Sequence, residues 1–138
     1  MKLYATAYLA TGLIFLAVDA IWLWVMNRVL YQPTIGPLLL DGFKPVPAAL
    51  FYMIYIFGIV FFAVAPALAL ERWTTALIHG AIFGFVAYAT YDLTNHATLK
   101  GWSAVVTMAD LAWGTVLTST AALSGYLVTQ ALSKGAGG

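Results

Sequence analysis

The sequence predicts an all-α fold, an integral membrane four-helix bundle, on three observations. Of its 138 residues 63% are hydrophobic and only 8% are charged, against roughly 45–50% and about 25% in soluble domains. Eleven charged side chains cannot give such a chain a water-compatible surface, so lipid has to serve as its solvent. The apolar residues also fall into four stretches long enough for the roughly 30 Å hydrocarbon core, which takes about 20 helical residues. Finally, no ten-residue dyad pattern suggests a barrel. Helices are then the elements that satisfy every backbone N–H and C=O within one segment.

The expected organisation is a single transmembrane domain over residues 1–138, with helices at about 3–29, 47–70, 74–96 and 103–132. The first span begins after Lys2 and has the loose look of a signal peptide, with small residues at Val18 and Ala20. Asp19 interrupts that pattern and the apolar run continues through Trp22, Trp24 and Val29, so an uncleaved anchor is expected. Residues 31–46 contain Pro33, Gly36, Pro37, Gly42 and Pro45, a density of helix breakers that predicts a loop. The pairs Glu71–Arg72 and Lys100–Gly101 predict tight turns, and residues 133–138 a flexible tail. Trp73 and Trp102, near span ends, read as interfacial anchors.

Four spans put both termini on one face, side A. Lys2, Arg72 and Lys134 then lie on side A, and Arg28, Lys44 and Lys100 on side B. The positive-inside rule is tied, with a slight lean from the α-amino group towards cytoplasmic termini. The tie leaves dual topology open as an alternative. A net charge of +1 offers no basic patch for nucleic acid. The absence of cysteine excludes disulfides and thiol chemistry.

Three of the five acids sit inside apolar spans: Asp19, Asp92 and Asp110. A carboxylate there costs at least about 2.5–3.5 kcal/mol on insertion scales, so each needs a reason. At about 1.5 Å per residue, all three fall in the half of the bilayer nearer side B, at the depth of Tyr52 and Tyr55. Each helix thus contributes an acid or a phenol to one layer. Around it, Trp22 follows Asp19 and Trp113 follows Asp110 at the same spacing, D-x-x-W, on two antiparallel helices. Such a pattern is open to two readings, coincidence or the relic of an inverted repeat.

The run Tyr91-Asp92-Leu93-Thr94-Asn95-His96 is the most polar within any span. Asp92 and His96 share a face. Together with Asp19 and Asp110 they could offer a divalent ion oxygen and nitrogen ligands, but scattered acids and one His fall short of a metal signature. Asn95 and His96 also read as a helix end facing headgroups. Thr107, Gly114, Thr118 and Ala121 with Asp110, and the Gly80–Gly84 pair, form small-residue stripes that read as packing faces. If the three aspartates converge without a cation, at least one is expected to be protonated, and Asp110, with only Thr107 as a polar neighbour on its own helix, is the expected one.

The stretches DAIWLWVMNR (19–28), FYMIYIFGIVFFAVAPAL (51–68), GAIFGFVAYATYDLTNHATL (80–99) and DLAWG (110–114) resemble a family of small bacterial membrane proteins, domain of unknown function 2177. The resemblance covers nearly the whole chain and is most specific in the Tyr-Asp-Leu-Thr-Asn and Asp-Leu-Ala-Trp-Gly stretches. It implies a bacterial inner-membrane location and supplies no activity.

From the residues themselves three functions are open. The first is binding or transport of a small cation, a proton or an amphipathic ligand at a site of Asp19, Asp92, Asp110, Tyr52, Tyr55, Asn95, His96, Trp22 and Trp113. Because four helices make a thin pathway, transport would require a homodimer. The second is an accessory subunit packed into a larger membrane complex. The third is an enzyme acting on a lipid or isoprenoid, for which no nucleophile motif or phosphate cradle is present. No cofactor is indicated. Single cysteines at Lys2, Lys44, Lys100 and Lys134 test the topology: the first and last should label from one side and the middle two from the other. Opposite labelling of Lys2 and Lys134 rules out four spans, and mixed labelling at every site reports dual topology.

Overall fold

The computed structural model describes residues 1–137 and consists of four helices long and apolar enough to cross a membrane. They are α1 (Lys2–Leu38), α2 (Pro45–Leu70), α3 (Trp73–Thr98) and α4 (Ala104–Ala136). Helices α3 and α4 form the central hairpin, and α1 packs along α4. The first turn of α1 (Lys2, Leu3, Thr6) lies beside the last turns of α4 (Thr129, Leu132, Ser133, Ala136), so the two ends of the chain share one face of the bundle.

Helix α1 is longer than expected. The predicted loop over residues 31–46 is helical up to Leu38, which leaves only a short connection at 39–44. The reason is a widened turn over Asn27–Tyr31, where the N–H of Gln32 bonds the carbonyl of Asn27, five residues back. Proline cannot donate a backbone bond and clashes with the carbonyl four residues earlier. A π-turn immediately before Pro33 absorbs both defects and the helix continues. Thr34 adds a hydroxyl bond to the Leu30 carbonyl, and the helix closes in a single 3-10 turn, Gly36–Leu38. Helix α2 repeats the device: its π-turn, Val60–Val64, immediately precedes Ala65 and Pro66.

The other helix ends move by a turn or less. Pro45 and Pro47 occupy the first turn of α2, where a missing N–H costs nothing. Glu71 ends α2 in the left-handed region, with φ of 50°, and Gly101, with φ of 77°, turns α3 into α4. Ser103 caps α4 by accepting a bond from the Val106 N–H at 3.5 Å. The expected flexible tail is helical through Ala136, and its last residue, Gly138, lies outside the described residues.

Small residues hold the hairpin together. A Cβ on Gly80 would stand 2.8 Å from the Ala122 Cβ, and one on Gly84 would strike the Gly114 carbonyl and sit 2.7 Å from the Thr118 hydroxyl. Gly114 is covered by the Tyr88 ring, and Gly125 by Thr11 of α1. Around these seams Phe15, Ile59, Val64, Leu117 and Ala122 are fully buried, while Leu9, Leu13, Ile54, Phe57 and Met108 point outward, where lipid can cover them.

Helix α2 does not follow its neighbour throughout. From Val60 to Leu70 it packs closely on α3, whereas its first half, Pro45–Ile59, has α1 as its main backbone neighbour. The bundle is therefore closed towards side A and open between α2 and α3 towards side B. The Gly84 seam has a direct test: Gly84→Ala should cost about 1–3 kcal/mol by overpacking and lower the thermal midpoint in detergent. Gly135→Ala, which meets nothing within 4 Å, should not. Equal midpoints would remove the close-approach explanation.

Candidate functional site

The open half of the bundle encloses a cavity of about 460 Å³. Asp19, Leu23, Asn27, Tyr31 and Ile35 of α1, with Leu39 just past its end, run along one wall at steps of four. In a regular α-helix such a row drifts by about 40° per step. The π-turn at Asn27–Tyr31 slows the drift and keeps the row facing inward. Helix α2 contributes Phe51, Tyr52 and Tyr55, α3 contributes Tyr88 and Tyr91, the α3–α4 turn contributes Trp102, and α4 contributes Asp110 and Trp113. No Lys, Arg or His is on the wall.

The two wall carboxyls, each 6% exposed, are held by donors from other helices. Asp19 accepts from the Tyr52 hydroxyl at 2.9 Å through one oxygen and from the Trp113 indole N–H at 3.4 Å through the other. Asp110 accepts from the Tyr31 hydroxyl, which itself accepts from the Trp22 indole N–H at 3.0 Å. The Trp22 and Trp113 rings stack, with centroids 4.2 Å apart and planes 4° from parallel. The two D-x-x-W segments therefore serve each other: Trp113 of α4 holds the α1 acid directly, and Trp22 of α1 holds the α4 acid through Tyr31. An ionised carboxylate only accepts hydrogen bonds, so these donors suit carboxylates rather than neutral acids.

Of the residues singled out from the sequence, Asp19, Asp110, Tyr52, Tyr55, Trp22 and Trp113 meet at this cavity. Tyr55 bonds Thr118 at 2.7 Å and stacks on Phe83. Asp92 is fully buried behind the wall, with its carboxyl beside that of Asp110. Asn95 and His96 are not brought to the cavity. His96 is exposed at the end of α3, with Nδ1 3.5 Å from the Thr107 hydroxyl. Among the described residues no group of three His, Cys, Asp or Glu side chains could hold a metal ion.

Tyr31, Tyr88, Tyr91, Phe51 and Trp102 were not singled out as site residues. Tyr31 falls within the expected loop, and on a regular helix it would stand about 120° round from Asp19; the widened turn is what brings it to the cavity. Trp102, expected at the interface from its place at a span end, donates its N–H to Thr107 at 3.0 Å and also lines the cavity.

Residues 4–127 match the model of a family described as predicted membrane protein, DUF2177. The chain belongs to this family. No curated protein and no solved structure matches it.

The site makes Tyr31 the most consequential hydroxyl of α1. A hydrogen bond to a charged group contributes about 1.5–3 kcal/mol, so Tyr31→Phe should lower the thermal midpoint in detergent clearly. Tyr4→Phe, at an exposed position, should leave it unchanged, and equal midpoints would mean that the Tyr31–Asp110 bond contributes nothing.

Proposed function

We propose that this protein binds a small amphipathic molecule with a cationic end, taken up from the bilayer, and that it does so in the bacterial inner membrane. The observation that carries the reading is the wall chemistry of the cavity. Two carboxyls, Asp19 and Asp110, line a space whose other walls carry nine aromatic rings, a few aliphatic side chains and Asn27, and no basic side chain. An intramembrane acid is a functional site by default, and the only charge missing from this one is positive. Faces of Tyr and Trp rings attract alkylammonium groups, the more so out of water. The volume falls within the range of small-molecule sites, roughly 300–1,000 Å³.

The route of arrival follows from the backbone. The gap between the first half of α2 and α3 faces the lipid, and Phe51 and Tyr91 at its two sides are 46% and 59% exposed. An apolar tail can enter there without crossing the polar connections at 39–44. The π-turns, which recur at functional sites in helices, support the same assignment, since one of them sets Tyr31 on Asp110.

The test uses dodecyltrimethylammonium with the protein in lipid nanodiscs. The stacked Trp22–Trp113 pair supplies the fluorescence signal. A saturable change is expected with the ammonium amphiphile and not with dodecanol, and Asp19→Asn should weaken it about tenfold, the equivalent of 1.4 kcal/mol. Equal responses to the charged and neutral amphiphiles would overturn the reading.

A further inference from the structure

Asp92 is the one acid in the spans that the binding site does not use. It is 0% exposed, and neither of its oxygens meets an N–H or O–H donor. The polar group beside it is the Asp110 carboxyl. Two ionised carboxylates in that arrangement would each lack what they need, because a carboxylate only accepts hydrogen bonds. A buried charge without a partner is also among the most expensive arrangements in a protein. One proton between them changes the balance, since a protonated carboxyl donates to an ionised one in a short, charge-assisted bond.

The surroundings decide which carboxyl carries it. Asp110 already accepts from Tyr31, which is backed by Trp22, so its ionised form is stabilised by a donor relay. Asp92 has no such donor. We infer that Asp92 and Asp110 form an acid pair holding one proton, carried by Asp92, and that this pairing makes Asp110 the ionised carboxylate presented to a cation in the cavity. This places the proton opposite to the sequence-based expectation, which favours Asp110 because Thr107 is its only polar neighbour on its own helix. The cation half of the inference rests on the function proposed above; the proton half does not.

The titratable groups around the pair are tyrosines and one further acid. From α1 the cavity receives Asp19 and Tyr31, from α2 Tyr52 and Tyr55, from α3 Tyr88 and Tyr91, and from α4 only Asp110. Asp19 is engaged by Tyr52 and Trp113, and His96 is exposed at the end of α3. No basic group on the wall competes for the charge on Asp110. Asp92 would then act as a positioning residue: it donates to Asp110 from behind and fixes that carboxylate towards the cavity without touching the ligand.

Infrared spectroscopy of the ligand-free protein at neutral pH tests the proton. A protonated-carboxyl stretch is expected in the wild type. Asp92→Asn should remove it, and Asp110→Asn should shift it without removing it. A wild-type spectrum with no such band overturns the inference by itself, whatever the variants do, and so does a band that survives Asp92→Asn and disappears in Asp110→Asn. Binding of dodecyltrimethylammonium tests the second half. Asn at position 92 still donates a hydrogen bond to Asp110, so Asp92→Asn should keep wild-type affinity, whereas Asp92→Leu and Asp110→Asn should each lose about tenfold. If Asp92→Asn binds as poorly as Asp92→Leu, the positioning role is wrong. If the wild type shows the band but binds no ammonium amphiphile, the acid pair stands and the proposed function falls.

Discussion

A carboxyl group in a low-dielectric layer has to find hydrogen-bond donors within the protein, and this requirement organises the half of the bundle nearer side B. The donors come from other helices or from distant turns. Asp19 of α1 is met by Tyr52 of α2 and Trp113 of α4, and Asp110 of α4 by Tyr31 at the far end of α1. The acids thus tie together helices that pack loosely there. Where the same helices pack tightly, around Gly80, Gly84 and Gly125, no charge is involved. The molecule divides into a half held by close backbone approach and a half held by polar side chains, and the cavity lies in the second.

Hydrogen bonding alone would not produce that division. It also needs α2 to leave α3 midway, and the π-turn at Val60–Val64 sits where the close packing begins. Both π-turns stand directly before a proline-containing segment. A proline in a regular helix breaks or kinks it; a proline after a widened turn lets it continue with an altered face. In α1 the altered face carries Tyr31 to Asp110, and in α2 the widened turn coincides with the point where the helix leaves its neighbour.

Much of this was legible in the sequence. Composition gives lipid as the solvent, and the lengths of the apolar runs give the four spans. The depth of Asp19, Asp110, Tyr52 and Tyr55 along their helices follows from the rise per residue. What could not be read has a common origin. Periodicity arguments assume 3.6 residues per turn and treat proline as a stop. A widened turn breaks both assumptions, so the sequence places Tyr31 and Ile35 in a loop and outside the site. Asn95 and His96 were admitted on polarity, but they sit at the helix end, past the cavity. Asp92 shares the depth of the others, but only the packing of α3 against α4 turns it away from the cavity.

The widened turn in α1 also bears on how such a chain can vary. Within Asn27–Tyr31 the geometry depends on the number of residues more than on their identity. A π-turn closes its hydrogen bond over five residues where a regular turn uses four, so removing one residue there would restore a regular turn and leave Ile35 facing its contact with Val106 and Leu30. A replacement at exposed Val29 changes only what touches lipid. A single-codon deletion in this stretch is therefore a smaller structural event than the same deletion in the regular part of α1, where everything beyond it would turn by about 100°.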